Sequence, residues 1–180
     1  MSGWQQNLII APILIPLLAG ALLLFFDERQ RVVKAMISVV SCLALVAIAV
    51  SLFRLASYGP ERFEGVYMLG NWPAPFGIVL VVDRLSALML VLASILAVPT
   101  LVYALARWHA AGAHFHSLFQ FLLMGLNGAF LTGDLFNLFV FFEVMLAASY
   151  GLLMHGSGPM RVKAGLHYIA GNLAAALCFL

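Results

Sequence analysis

Asn137-Leu-Phe-Val-Phe-Phe-Glu143-Val-Met-Leu-Ala-Ala-Ser-Tyr150 is a run of apolar residues with a carboxylate in its middle. No Asp, Glu, Lys or Arg stands between Asp134 and Glu143, or between Glu143 and Arg161. A helix over residues 135–153 would be about 28 Å long, close to the thickness of a bilayer core, with Glu143 near its midplane. An ionised group at that depth costs roughly 2.5 to 3.5 kcal/mol on insertion scales, and apolar neighbours return roughly 0.3 to 0.6 each. The span can therefore insert, but its carboxyl must be protonated, paired or wet. One reading of Glu143 is a proton or cation relay. The other is a packing hydrogen bond to a neighbouring helix.

The rest of the 180 residues fit this membrane setting. The full sequence is 64% hydrophobic and 9% charged, with a mean hydropathy of +1.08, whereas soluble domains carry about 25% charged residues. The fold class expected is an all-α polytopic membrane protein in a lipid bilayer. The net charge of +2 comes from scattered loop residues. No clustered basic face exists, so nucleic acid is excluded as a partner. Cys42 and Cys178 lie in separate apolar runs and read as packing residues. No cofactor motif and no metal site is expected. His109, His114 and His116 form a short histidine-rich stretch without an accompanying acid or cysteine, and read as interfacial histidines.

Apolar run lengths predict six spans in a single domain, over residues 8–26, 33–53, 83–106, 115–131, 135–153 and 162–180. The first is an uncleaved span, because Met1 to Asn7 carries no Lys or Arg. Pro12 and Pro16 should bend it, and Pro99 should kink the third. Before the third span, Val66–Leu69 and Ile78–Val82 are β-prone around a Gly-Asn-Trp-Pro-Ala-Pro turn. They predict a short external hairpin at the membrane surface. Asp83 and Arg84 open the third span, with Asp83 suited to a helix N-terminus.

The fourth span carries a polar stripe, His116, Gln120 and Asn127, at spacings of four and seven. The stripe reads as interhelical hydrogen bonding or as the wall of a hydrated half-channel, facing the bundle interior in either case. Asp134 ends a tight turn, making the fourth and fifth spans an antiparallel pair. In the fifth, Glu143, Ala147, Tyr150, Gly151 and Met154 share one face, and the small residues there would admit another helix. His167, Tyr168 and Asn172 are the polar residues of the sixth, with His167 near the interface. That span is still apolar at Leu180, so a chain truncated at its C-terminus is expected. With the N-terminus outside, inner segments carry Arg29, Arg31, Lys34, Arg107, Arg161 and Lys163, while outer ones carry Arg54, Arg62 and Arg84. The positive-inside rule favours that orientation.

Three stretches carry a family resemblance: Leu69-Gly-Asn-Trp-Pro-Ala-Pro-Phe-Gly-Ile78, Asp83-Arg-Leu-Ser-Ala-Leu-Met89 and Phe119-Gln-Phe-Leu-Leu-Met-Gly-Leu-Asn-Gly-Ala-Phe-Leu-Thr-Gly-Asp-Leu-Phe-Asn-Leu-Phe-Val-Phe-Phe-Glu143. They resemble the D-type subunit of the multisubunit monovalent cation/proton antiporters of the Mrp or Pha type. That subunit is similar in turn to the proton-pumping membrane subunits of respiratory complex I. The resemblance implies the N-terminal part of a fourteen-helix antiporter-like fold in a bacterial inner membrane. It implies a hetero-oligomeric complex exchanging Na⁺ or K⁺ for protons, a secondary transporter rather than an enzyme. Glu143 matches the family's intramembrane glutamate, whose partner lysine lies on a helix beyond residue 180. Secondary candidates are Gln120, Asn127, Asp134, Tyr150, His167, Asp83 and Arg84. The alternatives are a proton-pumping subunit of an NADH:quinone or hydrogenase-type oxidoreductase, and a structural membrane subunit.

Overall fold

The computed structural model describes residues 3–58, 65–69, 77–156 and 158–179, with side chains from residue 7 to residue 178. Among the described residues, six long helices, one hairpin and a short 3-10 turn (Trp108–Ala110) make up the fold. They are α1 (Gly3–Leu24), α2 (Arg31–Tyr58), β1 (Gly65–Met68), β2 (Val79–Val82), α3 (Arg84–Ala106), α4 (Phe115–Leu131), α5 (Leu135–Met154) and α6 (Pro159–Phe179). Among the described residues, four segments are long and apolar enough to cross a bilayer: Asn7–Leu24, Arg31–Tyr58, Arg84–Ala106 and Leu135–Met154. Phe115–Leu131 is apolar but shorter. The chain is a multi-pass membrane protein.

Sequence spacing explains the packing. The buried residues of α3 are Ala87, Leu90, Ser94, Ala97, Leu101 and Ala104, alternating by three and four. Those of α2 include Lys34, Ser38, Ser41, Leu45, Ala49, Leu52 and Ala56, on the same rhythm. That is the seam of two helices in coiled-coil-like contact, and its Ala and Ser residues let the backbones approach closely. Leu18, Val40, Leu96 and Tyr103 point outward, as lipid-facing residues should.

α4 lies among α1, α3 and α5. A Cβ on Gly125 would stand 2.8 Å from the backbone of Met145, and one on Gly128 would run into the Phe141 ring. These two glycines bring α4 and α5 together. Gly151 does the same from the other side, against Leu118 of α4. It therefore serves the α4 contact and opens no approach to Glu143, contrary to the expectation from its position on the helix.

α1 is helical through both prolines. Pro16 has no N–H to give the carbonyl of Pro12, and Asn127 of α4 supplies the missing donor, Nδ2 to O at 2.9 Å. α3 is likewise helical through Pro99 to Ala106. α2 continues past the expected end at Phe53 to Tyr58, because Arg54 and Ser51 are compatible with helix once the last carbonyls find donors.

The hairpin pairs antiparallel, from Gly65 opposite Val82 to Met68 opposite Val79. Its turn, with Trp72, lies outside the described residues. The hairpin is less superficial than expected. Leu80 and Val82 are buried in a cluster with Ile9, Leu52, Ala87 and Leu131. The free edge of β2 is also taken up, by a bridge from Leu80 to Thr132 and by Gly133 N–H donating to the Val79 carbonyl at 2.8 Å. The apolar alternation of β2 inserts it into the mouth of the bundle.

Candidate functional site

The bundle has two chemically different ends. At one, the connections α2–α3 and α4–α5 meet. Asp83 caps α3, its Oδ1 accepting from Ser86 N–H at 2.7 Å while Ser86 Oγ accepts from Asp83 N–H at 2.9 Å. Hydrogen bonds from the Ser86 backbone and hydroxyl hold the Asp83 carboxyl below its ordinary range. Arg84 Nε donates to the carbonyl of Ala56 at 3.2 Å, satisfying the last turn of α2 with a cation where the helix dipole favours one. Asp134 caps α5, accepting from Asn137 N–H at 2.7 Å and from the Asn137 side chain. Asp83, Arg84 and Asp134 thus act as helix termini here.

At the other end, the connections α1–α2, α3–α4 and α5–α6 converge. Lys34 is buried and donates to Glu28 Oε1 at 2.7 Å, and the His114 backbone N–H reaches the same oxygen at 3.2 Å. His155 is buried and donates through Nε2 to the Trp108 carbonyl at 3.0 Å. Arg161 donates to the His155 carbonyl at 2.6 Å and lies 4.4 Å above the Trp108 ring.

The polar stripe of α4 faces inward, as expected. His116 Nδ1 is 3.0 Å from Ser38 Oγ, and Ser41 Oγ donates to Gln120 Oε1 at 2.9 Å. Gln120 Nε2 lies 3.4 Å from the Ser38 carbonyl. His116 is therefore a core residue, unlike the exposed His114, because Ser38 gives its ring a partner that lipid would not. Gln120 and Asn127 bind α4 to α2 and α1. Among the described residues, no three His, Cys, Asp or Glu side chains converge as metal ligands would.

Glu143 stands apart from all of this. It is half-buried on α5, and no hydrogen bond or ion pair reaches its carboxylate from the described residues. It lines a cleft of about 350 Å³ between α5 and α6, walled by Leu138, Phe142, Met145, Asn172 and Ala176. Tyr150 stands two turns along the same face of α5. The Tyr150 side chain interacts with Asn172 and meets the Tyr168 ring edge-on at 5.5 Å. His167 is exposed and turned back, Nδ1 donating to the Lys163 carbonyl at 2.8 Å. Of the sequence candidates, Asp83, Arg84 and Asp134 share one end of the bundle, while Glu143 and Tyr150 share one face of α5. Asn172 joins them unforeseen, although its place one turn beyond Tyr168 could have signalled a polar face on α6.

The fold and the site are those of a multi-pass helical membrane protein with a carboxylate in an apolar cleft. The chain matches the D-type subunit of the cation/proton antiporters. It is 63% identical over 182 residues to the probable D-type subunit of a K⁺/H⁺ antiporter of Rhizobium meliloti (strain 1021), a match covering all of this chain and 34% of that one. It is 42% identical to the D-type subunit of a Na⁺/H⁺ antiporter of Alkalihalophilus pseudofirmus, over 98% of this chain and 35% of the relative. The fold superposes on a chain of the Mrp complex from Dietzia sp. DQ12-45-1b with a TM-score of 0.87 and 34% identity, over 98% of this chain and 33% of that one. An archaeal membrane-bound sulfane sulfur reductase shares the fold, with a TM-score of 0.75 at 23% identity, over 91% of this chain and 32% of that one. The chain thus spans about a third of the length of the relatives it matches. No family model matches it.

Proposed function

We propose that this chain is part of a membrane subunit of a multisubunit Na⁺/H⁺ or K⁺/H⁺ antiporter, and that Glu143 carries the proton. The observation behind this reading is a carboxylate on a cleft wall at mid-helix, with no partner among the described residues, in a chain so similar to the D-type subunits of antiporters. A dry cleft favours the neutral acid, whereas a cation or water entering it favours the carboxylate. Alternation between the two couples proton release to cation entry, driven by about 2.3 kcal/mol per charge per 100 mV of membrane potential. The partners are the other subunits of the complex and the lipid of a bacterial inner membrane, with the N-terminus outside. No enzymatic chemistry is assigned to the chain. Identities of 42% and 63% to antiporter subunits favour this reading over an oxidoreductase subunit.

The test uses the full-length subunit in its assembled complex. Glu143→Gln and Glu143→Ala should abolish cation-driven proton flux while the complex accumulates normally. Glu143→Asp should keep part of the flux, since it still titrates. Near-normal flux per complex in Glu143→Gln would end the relay reading, because an amide does not exchange a proton in this range.

A further inference from the structure

We propose that the outer face of α2, at the end of the bundle bearing Lys34 and Arg161, holds one anionic phospholipid. Its two acyl chains straddle a ridge of α2, and its phosphate sits on Arg31. The proposal does not depend on what Glu143 does.

Three observations carry it. The first is shape. Val32, Met36 and Val40 follow one another at intervals of four and are 73%, 57% and 66% exposed, so they form a ridge along α2. A groove runs on each side of that ridge. The groove toward α3 has a volume of about 510 Å³ and is bounded by Val32, Met36, Val40 and Leu105, with Arg31 and His109 at the end where α2 begins. The groove toward α1 has a volume of about 550 Å³ and is bounded by Leu18, Leu22, Met36, Val40 and Ala44. The two share Met36 and Val40, so they lie back to back. A two-chain lipid fills both from one headgroup.

The second is depth. From Arg31, α2 descends about 14 Å to Val40 and about 20 Å to Ala44. The hydrocarbon of one leaflet is about 15 Å deep. The grooves therefore begin at headgroup level and run through one leaflet.

The third is charge. Arg31 opens α2, and the first turn of α2 holds no acid. The helix dipole repels a cation there. Lys34, one turn on, is neutralised by Glu28. No ion pair or hydrogen bond reaches the Arg31 side chain from the described residues. Of the acids at this end, Glu28 is taken by Lys34, and Asp27 accepts from the Arg29 N–H at 3.3 Å. Across the groove, His109 Nδ1 faces His116 at 3.4 Å, which leaves its Nε2 without a partner among the described residues. A phosphate on Arg31 supplies the missing anion and accepts from both walls. An apolar helix laid along the same ridge would leave Arg31 and His109 unmatched.

The test uses the assembled complex with the full-length subunit in phosphatidylcholine nanodiscs. A small fraction of the lipid carries a photoreactive diazirine on each chain, on either a phosphatidylglycerol or a phosphatidylcholine headgroup. After irradiation, adducts are located by peptide mass spectrometry. The phosphatidylglycerol probe should mark both grooves, over residues 15–22 of α1 and at Leu105 of α3, as well as residues 36–44 of α2. It should do so about fivefold more than the phosphatidylcholine probe, the preference expected from one basic residue at a membrane surface. Arg31→Gln should bring the two probes within about twofold of each other. Ala35→Phe, which fills the α2–α3 groove and keeps Arg31, should remove the adduct at Leu105. Equal yields from the two probes in the wild type overturn the proposal, since they mean unselective annular lipid. So does a full preference retained in Arg31→Gln. Adducts absent from either groove overturn it as well, the result expected where a helix of the subunit or of a partner covers that face. If Ala35→Phe does not assemble, the Arg31→Gln comparison decides.

Discussion

Single side chains in this protein mostly complete backbones that the sequence leaves incomplete. Asn127 is the clearest case, donating to a Pro12 carbonyl that Pro16 cannot reach. Asn127→Leu should destabilise the chain by about 1 to 3 kcal/mol, the cost of a stranded buried carbonyl. An SDS-unfolding titration in mixed micelles would measure it, and an unchanged midpoint would mean that Pro12 O finds another donor. Glu28 shows a different dependence. Burial alone would raise its carboxyl, but the hydrogen bonds from Lys34 and the His114 backbone, with their charges, hold it below the ordinary 4.5. Its ties to α2 and to the α3–α4 connection therefore contribute above about pH 4.5 and are lost as pH falls through the lowered folded value. Spin labels at Arg29 and Ala113 should separate in acid. Glu28→Gln should remove the pH step, leaving the loops apart at every pH.

Helices and the hairpin were legible in the sequence to the extent that one element's own pattern decides them. The apolar run from Leu135 and the tight turn ending at Asp134 predict α5 and its antiparallel contact with α4, and both are present. The polar stripe gives the inward face of α4. What the sequence hid depends on a second element. His116 reads as interfacial until Ser38 of α2 is beside it, and Gly151 reads as a gap near Glu143 until Leu118 fills it. The hairpin reads as superficial until Thr132 and Gly133 cover its edge. Asn172 is one polar residue among apolar ones until the cleft is drawn. The glycines give the test at this scale. Gly128→Leu must push α4 from α5, because the Phe141 ring already occupies that space. It should cost about 1 to 3 kcal/mol or more. A cysteine pair placed across α4 and α5 should lose its cross-link efficiency in that variant, whereas Gly171→Leu, with nothing near its Cβ, should leave it intact.

At the scale of the molecule, the decisive feature is that charges sort by end. Contacts among Glu28, Lys34, His114, Trp108, His155 and Arg161 bring the α1–α2, α3–α4 and α5–α6 connections to one side. With them go Arg29, Arg31, Arg107 and Lys163. The Arg84–Ala56 and Leu80–Thr132 contacts bring the other two connections to the opposite side, where Arg84 and Arg54 are the described cations. The cations of the first end lie within a few residues of helix ends, where they bias insertion most. That end should therefore face the cytoplasm. Single cysteines at Ser2 and Gly59 in the full-length subunit should react with an impermeant maleimide added to intact cells. Cysteines at Gln30 and Gly112 should react only after the membrane is opened. Joint inversion of all four would reverse the orientation and keep the fold. Labelling of Gln30 and Gly112 from opposite sides would contradict the fold itself, since Glu28 and His114 are in contact.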